Sequence, residues 1–270
     1  MMQAIFHGVR GSVPVSGAAF SAYGGHTSCF EIRTPDVQVI IDAGSGFQNV
    51  RIAEEGPVIL VFTHFHHDHI QGLAFNGDLL RLNREIFVTS GLCGPDLLKD
   101  HLQSYFHGAY FPIDLIALKH QLHFVAFDEM PQIFRGVLDC QTMPLSHPGG
   151  CAAYRFGAGG SHVSTLFDNE FDSKQQDILL DFVAGSGLIV WDGMFLDEEM
   201  PMRRGWGHSS IEEGVKFFEK VRGKNDGSKM AITHHAPSRT DDQIDEFART
   251  LLAPDVFFAR ENQQLSVQAR

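Results

Sequence analysis

Residues Thr63-His64-Phe65-His66-His67-Asp68-His69 place four imidazoles and a carboxylate within seven residues. Nitrogen and oxygen donors at that density are metal ligands by type. They directly follow Val58-Ile59-Leu60-Val61-Phe62, a short unbroken apolar run that predicts a buried strand. His64 and His66 are two apart, so they leave an extended backbone on the same side. Asp68 and His69 come where the chain must turn toward the next element, 70–82. One pair of histidines suits one ion, and the Asp-His pair beside it suits a second. The bland alternative is a chance surface cluster. It is disfavoured because unpaired polar groups at the mouth of a buried strand are costly. The spacing of His67 points it away from His66, toward solvent or a supporting contact.

Later segments repeat the plan of a polar residue at a strand end. His147 lies in Pro144-Leu145-Ser146-His147-Pro148-Gly149-Gly150, after a strand ending near Met143, and suits a third ligand for the His64/His66 ion. A turn histidine in solvent is the alternative there. Asp168 follows Thr165-Leu166-Phe167, with Glu170 close behind. His234 and His235 follow Ile232-Thr233, and a one-residue shift would exchange them. Asp42 precedes Ala43-Gly44-Ser45-Gly46, where a simple turn aspartate is one reading.

The pattern His64-x-His66-x-Asp68-His69 after an apolar strand resembles the signature of metallo-β-lactamase-fold hydrolases, and the likeness extends over nearly the whole chain. The resemblance implies one metal on His64, His66 and His147, a second on Asp68, His69 and His234, and Asp168 bridging them. The family usually carries Thr-Asp-Thr at the bridging position; here Phe167 and Asn169 flank the aspartate. His234 matches the family's last ligand. Asp42 matches a strand-end aspartate beside the metal loop, which implies that it orients a ligand or that loop. A two-metal centre serves hydrolysis by acidifying a shared water and polarising the oxygen under attack. Ligand type favours two zinc ions, and manganese or iron accept the same donors.

Two further segments resemble the ribonuclease Z-like and cyclic-phosphodiesterase-like branches. Asp192, in Val190-Trp191-Asp192-Gly193, and His208, in Gly207-His208-Ser209-Ser210, match a pair that protonates the leaving oxygen, with Asp where ribonuclease Z has Glu. An alkoxide leaving group needs a proton, and a carboxylate-backed imidazole supplies one near neutral pH. The alternative is that His208 only caps the helix begun by Ser209. Gly8-Val9-Arg10-Gly11-Ser12 and Tyr23-Gly24-Gly25-His26-Thr27-Ser28-Cys29 also resemble this group, with His26 where relatives often have Asn. Their small residues would admit a substrate close to the backbone. Arg10 is expected to bind a phosphoryl oxygen, with a structural salt bridge as the alternative. Asp68, His208 and Asp192 are the expected catalytic residues, and Arg10 and His208 the expected substrate contacts. The aromatic stretch 104–112 either stacks on a substrate ring or simply packs.

The elements that must position these residues alternate along the chain, which predicts an α/β fold. Strands are expected over 3–9, 28–33, 37–41, 58–62, 85–89, 137–143, 152–156, 163–167, 188–191, 229–233, 256–259 and 264–267. Helices are expected over 97–105, behind Pro95, and over 172–183. Two more start at capping boxes in Ser209-Ser210-Ile211-Glu212 and Thr240-Asp241-Asp242-Gln243. Their apolar faces carry Ile211, Val215 and Phe218, then Ile244, Phe247, Ala248, Leu251 and Leu252. The family resemblance, not periodicity, implies a four-layer αββα sandwich of two facing mixed sheets, here one domain over 1–270.

Composition bounds the partners. With 270 residues and 43% hydrophobic content the chain is ordinary for a globular protein. No apolar run approaches a bilayer span, and the N-terminus carries no basic region or cleavage site, so the expected setting is the cytoplasm. Four widely spaced cysteines, Cys29, Cys93, Cys140 and Cys151, do not form a disulfide framework or zinc knuckle. Cys29 and Cys151 lie nearest the segments of interest. A net charge of −12 and no basic run disfavour a polynucleotide. The expectation is a phosphodiesterase for a small phosphodiester such as a cyclic nucleotide, as a monomer or homodimer. A metal-dependent hydrolase of a thioester, lactone or lactam, and a non-catalytic metal- or nucleotide-binding protein, are the rivals.

Overall fold

In β4 (Val58–Phe62) every side chain is buried, and alternation splits them between two cores. Ile59 and Val61 join an apolar layer with residues of the opposite sheet, including Tyr154, Phe156, Val163 and Val190. Val58, Leu60 and Phe62 pack outward against Leu98 and Leu102 of the helix Pro95–Tyr105. A strand buried on both faces reads as a continuous apolar run for this reason. The computed structural model describes residues 1–224, 227–251 and 253–268.

Two sheets face each other. The first contains β1 (Met2–Gly8), β2 (Cys29–Arg33), β3 (Gln38–Ile41), β4, β5 (Ile86–Ser90), β6 (Leu122–Phe124) and β13 (Gln264–Val267), in the order β13-β1-β2-β3-β4-β5-β6. The second contains β7 (Asp139–Leu145), β8 (Cys151–Ala158), β9 (Ser161–Leu166), β10 (Leu188–Asp192), β11 (Lys229–Thr233) and β12 (Val256–Phe258), in the order β12-β11-β10-β9-β8-β7. β3 to β6 are parallel, as are β9 to β12, and the other pairings are antiparallel. Ile189, Trp191, Met230 and Ile232 pack outward on the helices Gln176–Phe182, Ile211–Lys224 and Asp241–Thr250. The result is the expected αββα sandwich.

Hydrogen bonds tie the two sheets at one edge. Ala152 N–H donates to Thr63 O (2.9 Å), and His235 N–H donates to Val9 O (2.9 Å). The Tyr154 hydroxyl donates to the Phe62 carbonyl (2.7 Å) and accepts from the Gly91 N–H (2.7 Å). The Phe62 carbonyl immediately precedes the histidine-rich turn, so this buried bond fixes where the turn begins.

Some elements differ from expectation for local reasons. β7 runs through Pro144 to Leu145, because it is an edge strand and needs no proline donor there. The short strand β6 carries no apolar alternation long enough to read. The predicted element 70–82 is broken into a turn of helix His67–Ile70, a 3-10 turn Leu73–Phe75 and the helix Gly77–Arg81, which Asn76 caps through Leu79 N–H (2.8 Å). The capping box of the helix Ile211–Lys224 uses Ser210 and Glu213, one residue later than read. Ser209 instead donates to the Asn169 carbonyl. The box at Thr240 and Gln243 is present; Leu252 lies outside the described residues. Among the described residues no helix is long and apolar enough to cross a membrane.

Replacing Tyr154 with Phe removes both bonds of a fully buried hydroxyl. Tyr154→Phe is expected to lose about 1–2 kcal/mol of stability in urea unfolding; an unchanged midpoint would contradict this role.

Candidate metal centre

Seven strands run toward the same edge and deliver polar residues at or beyond their last pairs. β1 leads to Ser12, β3 to Asp42, β4 to His64, β7 to His147 and β9 to Asp168; β10 ends in Asp192 and β11 leads to His234. Parallel register sets the level: Ile41 pairs with Val61, and Asp192 with Thr233. Carboxyl ends of parallel strands are where open α/β sheets place ligands. Among the described residues six non-glycines have positive φ, and Ser12, Asp42, Asp168 and His234 are four of them. That region is uncommon outside glycine, and its concentration here marks a shared backbone demand.

The structure brings all seven expected ligands together. Donor atoms of His64, His66, His147 and Asp168 lie within 4.8 Å of one another, as do those of Asp68, His69 and His234. Asp168 faces both groups. Its Oδ2 is 3.5 Å from His64 Nε2 and 3.7 Å from His147 Nε2, while its Oδ1 is 3.3 Å from His69 Nε2 and 3.3 Å from His234 Nδ1. His64 Nε2, His69 Nε2, His234 Nε2 and Asp168 Oδ1 are buried and have no hydrogen-bond partner. Buried polar atoms are rarely left so. Their convergence, and their N and O chemistry, fit divalent cations.

Neighbours fix the ligand rings. His69 Nδ1 donates to Asp42 Oδ2 (2.7 Å), and Asp42 also accepts from Thr63 N–H (2.8 Å) and Thr63 Oγ1 (2.7 Å). His147 Nδ1 donates to Gly207 O (2.7 Å). Each bond leaves Nε2 turned into the cage. Ser28 Oγ lies 3.2 Å from His234 Nδ1, and the Ser12 N–H donates to Asp68 Oδ2 (2.6 Å). Burial, then the nearby His69, hold His64 well below its ordinary pKa, and burial also lowers His147. Burial opposes ionisation of Asp168, yet His234, His69 and His64 outweigh it and hold the carboxyl well below its usual range. Neutral imidazoles at His64 and His147 beside an ionised Asp168 are the states a metal requires. His69 differs from them: burial lowers its pKa, but Asp168, Asp68 and Asp42 together raise it well above the ordinary value.

Asp192 and His208 adjoin this cage. His208 Nδ1 is 2.8 Å from Asp192 Oδ2 and 4.0 Å from Asp168 Oδ2, and its ring stacks on His234 at 4.9 Å. Burial lowers the imidazole pKa, but the Asp192 carboxylate overrides it and raises it to about 9. Because Ser210 caps the following helix, the His208 ring is not the cap.

Other expectations are corrected. Arg10 does not face the cage. Its side chain is fully buried, donating from Nε to Gly24 O (2.7 Å) and from a terminal nitrogen to Arg239 O (2.7 Å), with Asp241 at 3.7 Å. A guanidinium so enclosed is structural and does not reach a phosphoryl oxygen. Nor does Gly11 admit a substrate, since a Cβ there would lie 2.4 Å from the His234 ring. Glu170, the alternative to Asp168, accepts from the N–H groups of Gly205 (2.7 Å) and Gly207 (3.0 Å) and so steadies the carbonyl that holds His147. His235 donates its Nε2 proton to Ala259 O (2.9 Å) in the core. His26 contacts Ser45 Oγ (3.2 Å), outside the clusters. His67 is exposed and hydrogen-bonds Tyr105, whose ring packs on the buried Phe106, while residues 107–110 of the 104–112 stretch are exposed. Cys151 lies behind the centre, its thiol donating to Phe167 O (3.2 Å), and Cys29 is in the core under the first sheet. The supporting contacts of Ser12 and Glu170 escaped sequence reasoning because they run through backbone N–H groups, which no residue pattern marks.

With that geometry in view, comparison with known proteins is direct. The family model for the β-lactamase superfamily domain matches residues 38–235. The chain belongs to the β-lactamase superfamily. No curated protein matches it in sequence. Among solved structures, the metallo-β-lactamase fold protein YhfI from Bacillus subtilis superposes with a TM-score of 0.70 at 16% identity, covering 98% of this chain and 100% of that one. A diphosphatase of the PhnP family gives 0.66 at 14%, covering 100% and 99%. The short form of human tRNase Z, ELAC1, gives 0.66 at 14%, covering 98% and 99%. At such identities the likeness speaks for the fold. Membership makes this superfamily chain a metal-dependent hydrolase by class, and its His/Asp clusters are able to hold the metal.

Two outcomes follow from this geometry. Asp42→Asn removes the acceptor that orients His69, and zinc affinity in a competition titration is expected to fall roughly 10–100-fold; unchanged affinity would contradict it. His235, fully buried, has its pKa lowered from 6.5 to about 3 by burial, which the bond to Ala259 only partly offsets. The unfolded chain therefore binds this proton first, and stability present above pH 6.5 is lost as pH falls toward 3. His235→Gln keeps a donor but no titration, so it should lose about 2 kcal/mol less than wild type between pH 7 and 5 in urea unfolding. An equal loss in both would contradict the assignment.

Proposed function

We propose that this superfamily member is a dinuclear-metal phosphodiesterase for a small phosphodiester such as a cyclic nucleotide. One observation carries the reading: the buried His208–Asp192 pair, 2.8 Å apart, stands beside the bridging position of Asp168. Breaking a phosphodiester expels an alkoxide, which needs a proton donor. Acyl transfer from a thioester or lactone needs that donor less. The fold shared with a diphosphatase and a tRNase Z is compatible with phosphoester chemistry.

In this reading His64, His66 and His147 would hold one cation and Asp68, His69 and His234 a second, with Asp168 available to both. Zinc is the first choice for this donor set, with manganese or iron acceptable to it. Bound cations would supply Lewis acidity toward the phosphoryl oxygen and acidify a water molecule. The protein's own groups do the rest. His208 protonates the leaving oxygen from Nε2, while Asp192 holds Nδ1 and keeps the ring oriented. Asp192 is itself fixed by the N–H groups of Asn169 (3.2 Å) and Met194 (3.1 Å). Asp68, held ionised as His69 outweighs burial and steadied by Ser12, is the acceptor available for the nucleophile's proton. The net charge of −12 disfavours a polynucleotide substrate. All four cysteines are free, which suits a reducing cytoplasm.

His208→Ala tests the reading. Turnover of a cyclic nucleotide by the zinc-loaded protein is expected to fall about 10²–10⁴-fold with metal content unchanged. Undiminished turnover would remove the proton-donor role. Loss of metal would mark His208 as a ligand instead, consistent with its donor atom lying near those of Asp168 and His234.

A further inference from the structure

Segment 200–207 lies on the rim next to His208 and has no role in the chemistry described so far. It begins as a 3-10 turn, Met200–Met202, and closes with the Trp206 N–H on Arg203 O (3.0 Å). Glu170 pins its far end through Gly205 and Gly207. Met202 is 83% exposed and Trp206 54% exposed. Single exposed apolar side chains are ordinary, but Trp206 is joined to His208 through one intervening ring. The Phe195 ring is 5.9 Å from His208 and 6.4 Å from Trp206. The Arg203 guanidinium sits 4.5 Å from the Trp206 ring and 5.7 Å from the Phe195 ring. Arg204 is paired with Glu170 and Glu213, whereas no carboxylate pairs with Arg203 among the described residues. In a chain with 33 acidic and 21 basic residues, a cation left unpaired beside the site is conspicuous.

We propose that Trp206 and Arg203 form a recognition shelf for an aromatic ring carried by an anionic phosphoester, so that the substrate class is the nucleotide rather than a sugar or lipid phosphodiester. The substrate class rests on the phosphodiesterase reading; the shelf itself does not. An indole face stacks on any heterocyclic base. A guanidinium spread over two rings keeps its planar donors available for a phosphate. The aromatic pocket formed by Phe65, His101, Tyr105 and Tyr110 is a poorer candidate. Phe65 alternates with His64 and His66 and packs toward the helix-side core, so that pocket backs the metal turn instead of adjoining His208.

The chain has two tryptophans, and Trp191 is only 1% exposed, so indole emission that responds to a ligand reports on Trp206. The test titrates the zinc-loaded full chain with adenosine 5′-monophosphate and, separately, with ribose 5-phosphate. Saturable quenching by the first and little by the second is expected. Calorimetry should show adenosine 5′-monophosphate binding about tenfold weaker or worse in Trp206→Ala and near wild type in Trp206→Phe. Arg203→Ala should weaken it too. Equal response to the two ligands, no saturable quenching, or full-strength binding by Trp206→Ala would overturn the shelf. If the nucleotide binds as expected while cyclic nucleotides are not hydrolysed, the shelf stands and the phosphodiesterase reading fails. Hydrolysis without Trp206-dependent binding has the opposite meaning.

Discussion

The structure depends on a burial problem at one sheet edge. Asp168 is almost fully enclosed and has His64, His69, His147 and His234 within 3.7 Å of its two oxygens. Several of the facing atoms make no hydrogen bond. In a low-dielectric interior, an ionised carboxylate among unpaired imidazole nitrogens costs several kcal/mol unless something positive and geometrically versatile joins them. Divalent cations meet that demand. The two sheets are locked around it by inter-sheet bonds at Phe62, Thr63 and His235.

Behind the ligand nitrogens is a layer of contacts that decides which nitrogen faces inward. Asp42 does this for His69, the Gly207 carbonyl for His147 and Asp192 for His208. Glu170 acts one step further out, through the backbone of the segment that carries Gly207. This links the His64/His66/His147 cluster to the His208–Asp192 pair: Gly207, whose carbonyl holds His147, directly precedes His208. The rim segment bearing Arg203 and Trp206 is anchored by the same carboxylate.

Much of this was legible in the sequence. The strand Val58–Phe62 and the spacing of His64, His66, Asp68 and His69 announce the centre, because burial on both faces leaves an unbroken apolar run and ligand chemistry needs particular side chains. Asp168 is preferred to Glu170 because it directly ends an apolar strand, and His234 to His235 because it matches the family's last ligand; the structure's reason is that both take left-handed backbone just after a strand. Arg10 misled, since an arginine in a glycine-bearing stretch that resembles the phosphodiesterase-like branch has the same sequence appearance whether it binds substrate or the carbonyls of Gly24 and Arg239. The sheet order, the Ser12 contact and the Glu170 clamp stayed hidden because they are long-range or made by backbone atoms. β6 and the proline-bearing end of β7 were missed for a related reason: edge and near-edge strands need little apolar alternation.

The most direct test of the central claim is anomalous diffraction from crystals of the zinc-loaded chain. Two peaks flanking Asp168 are expected, one bounded by His64, His66 and His147, the other by Asp68, His69 and His234. No peak, or peaks at sites remote from Asp168, would contradict it.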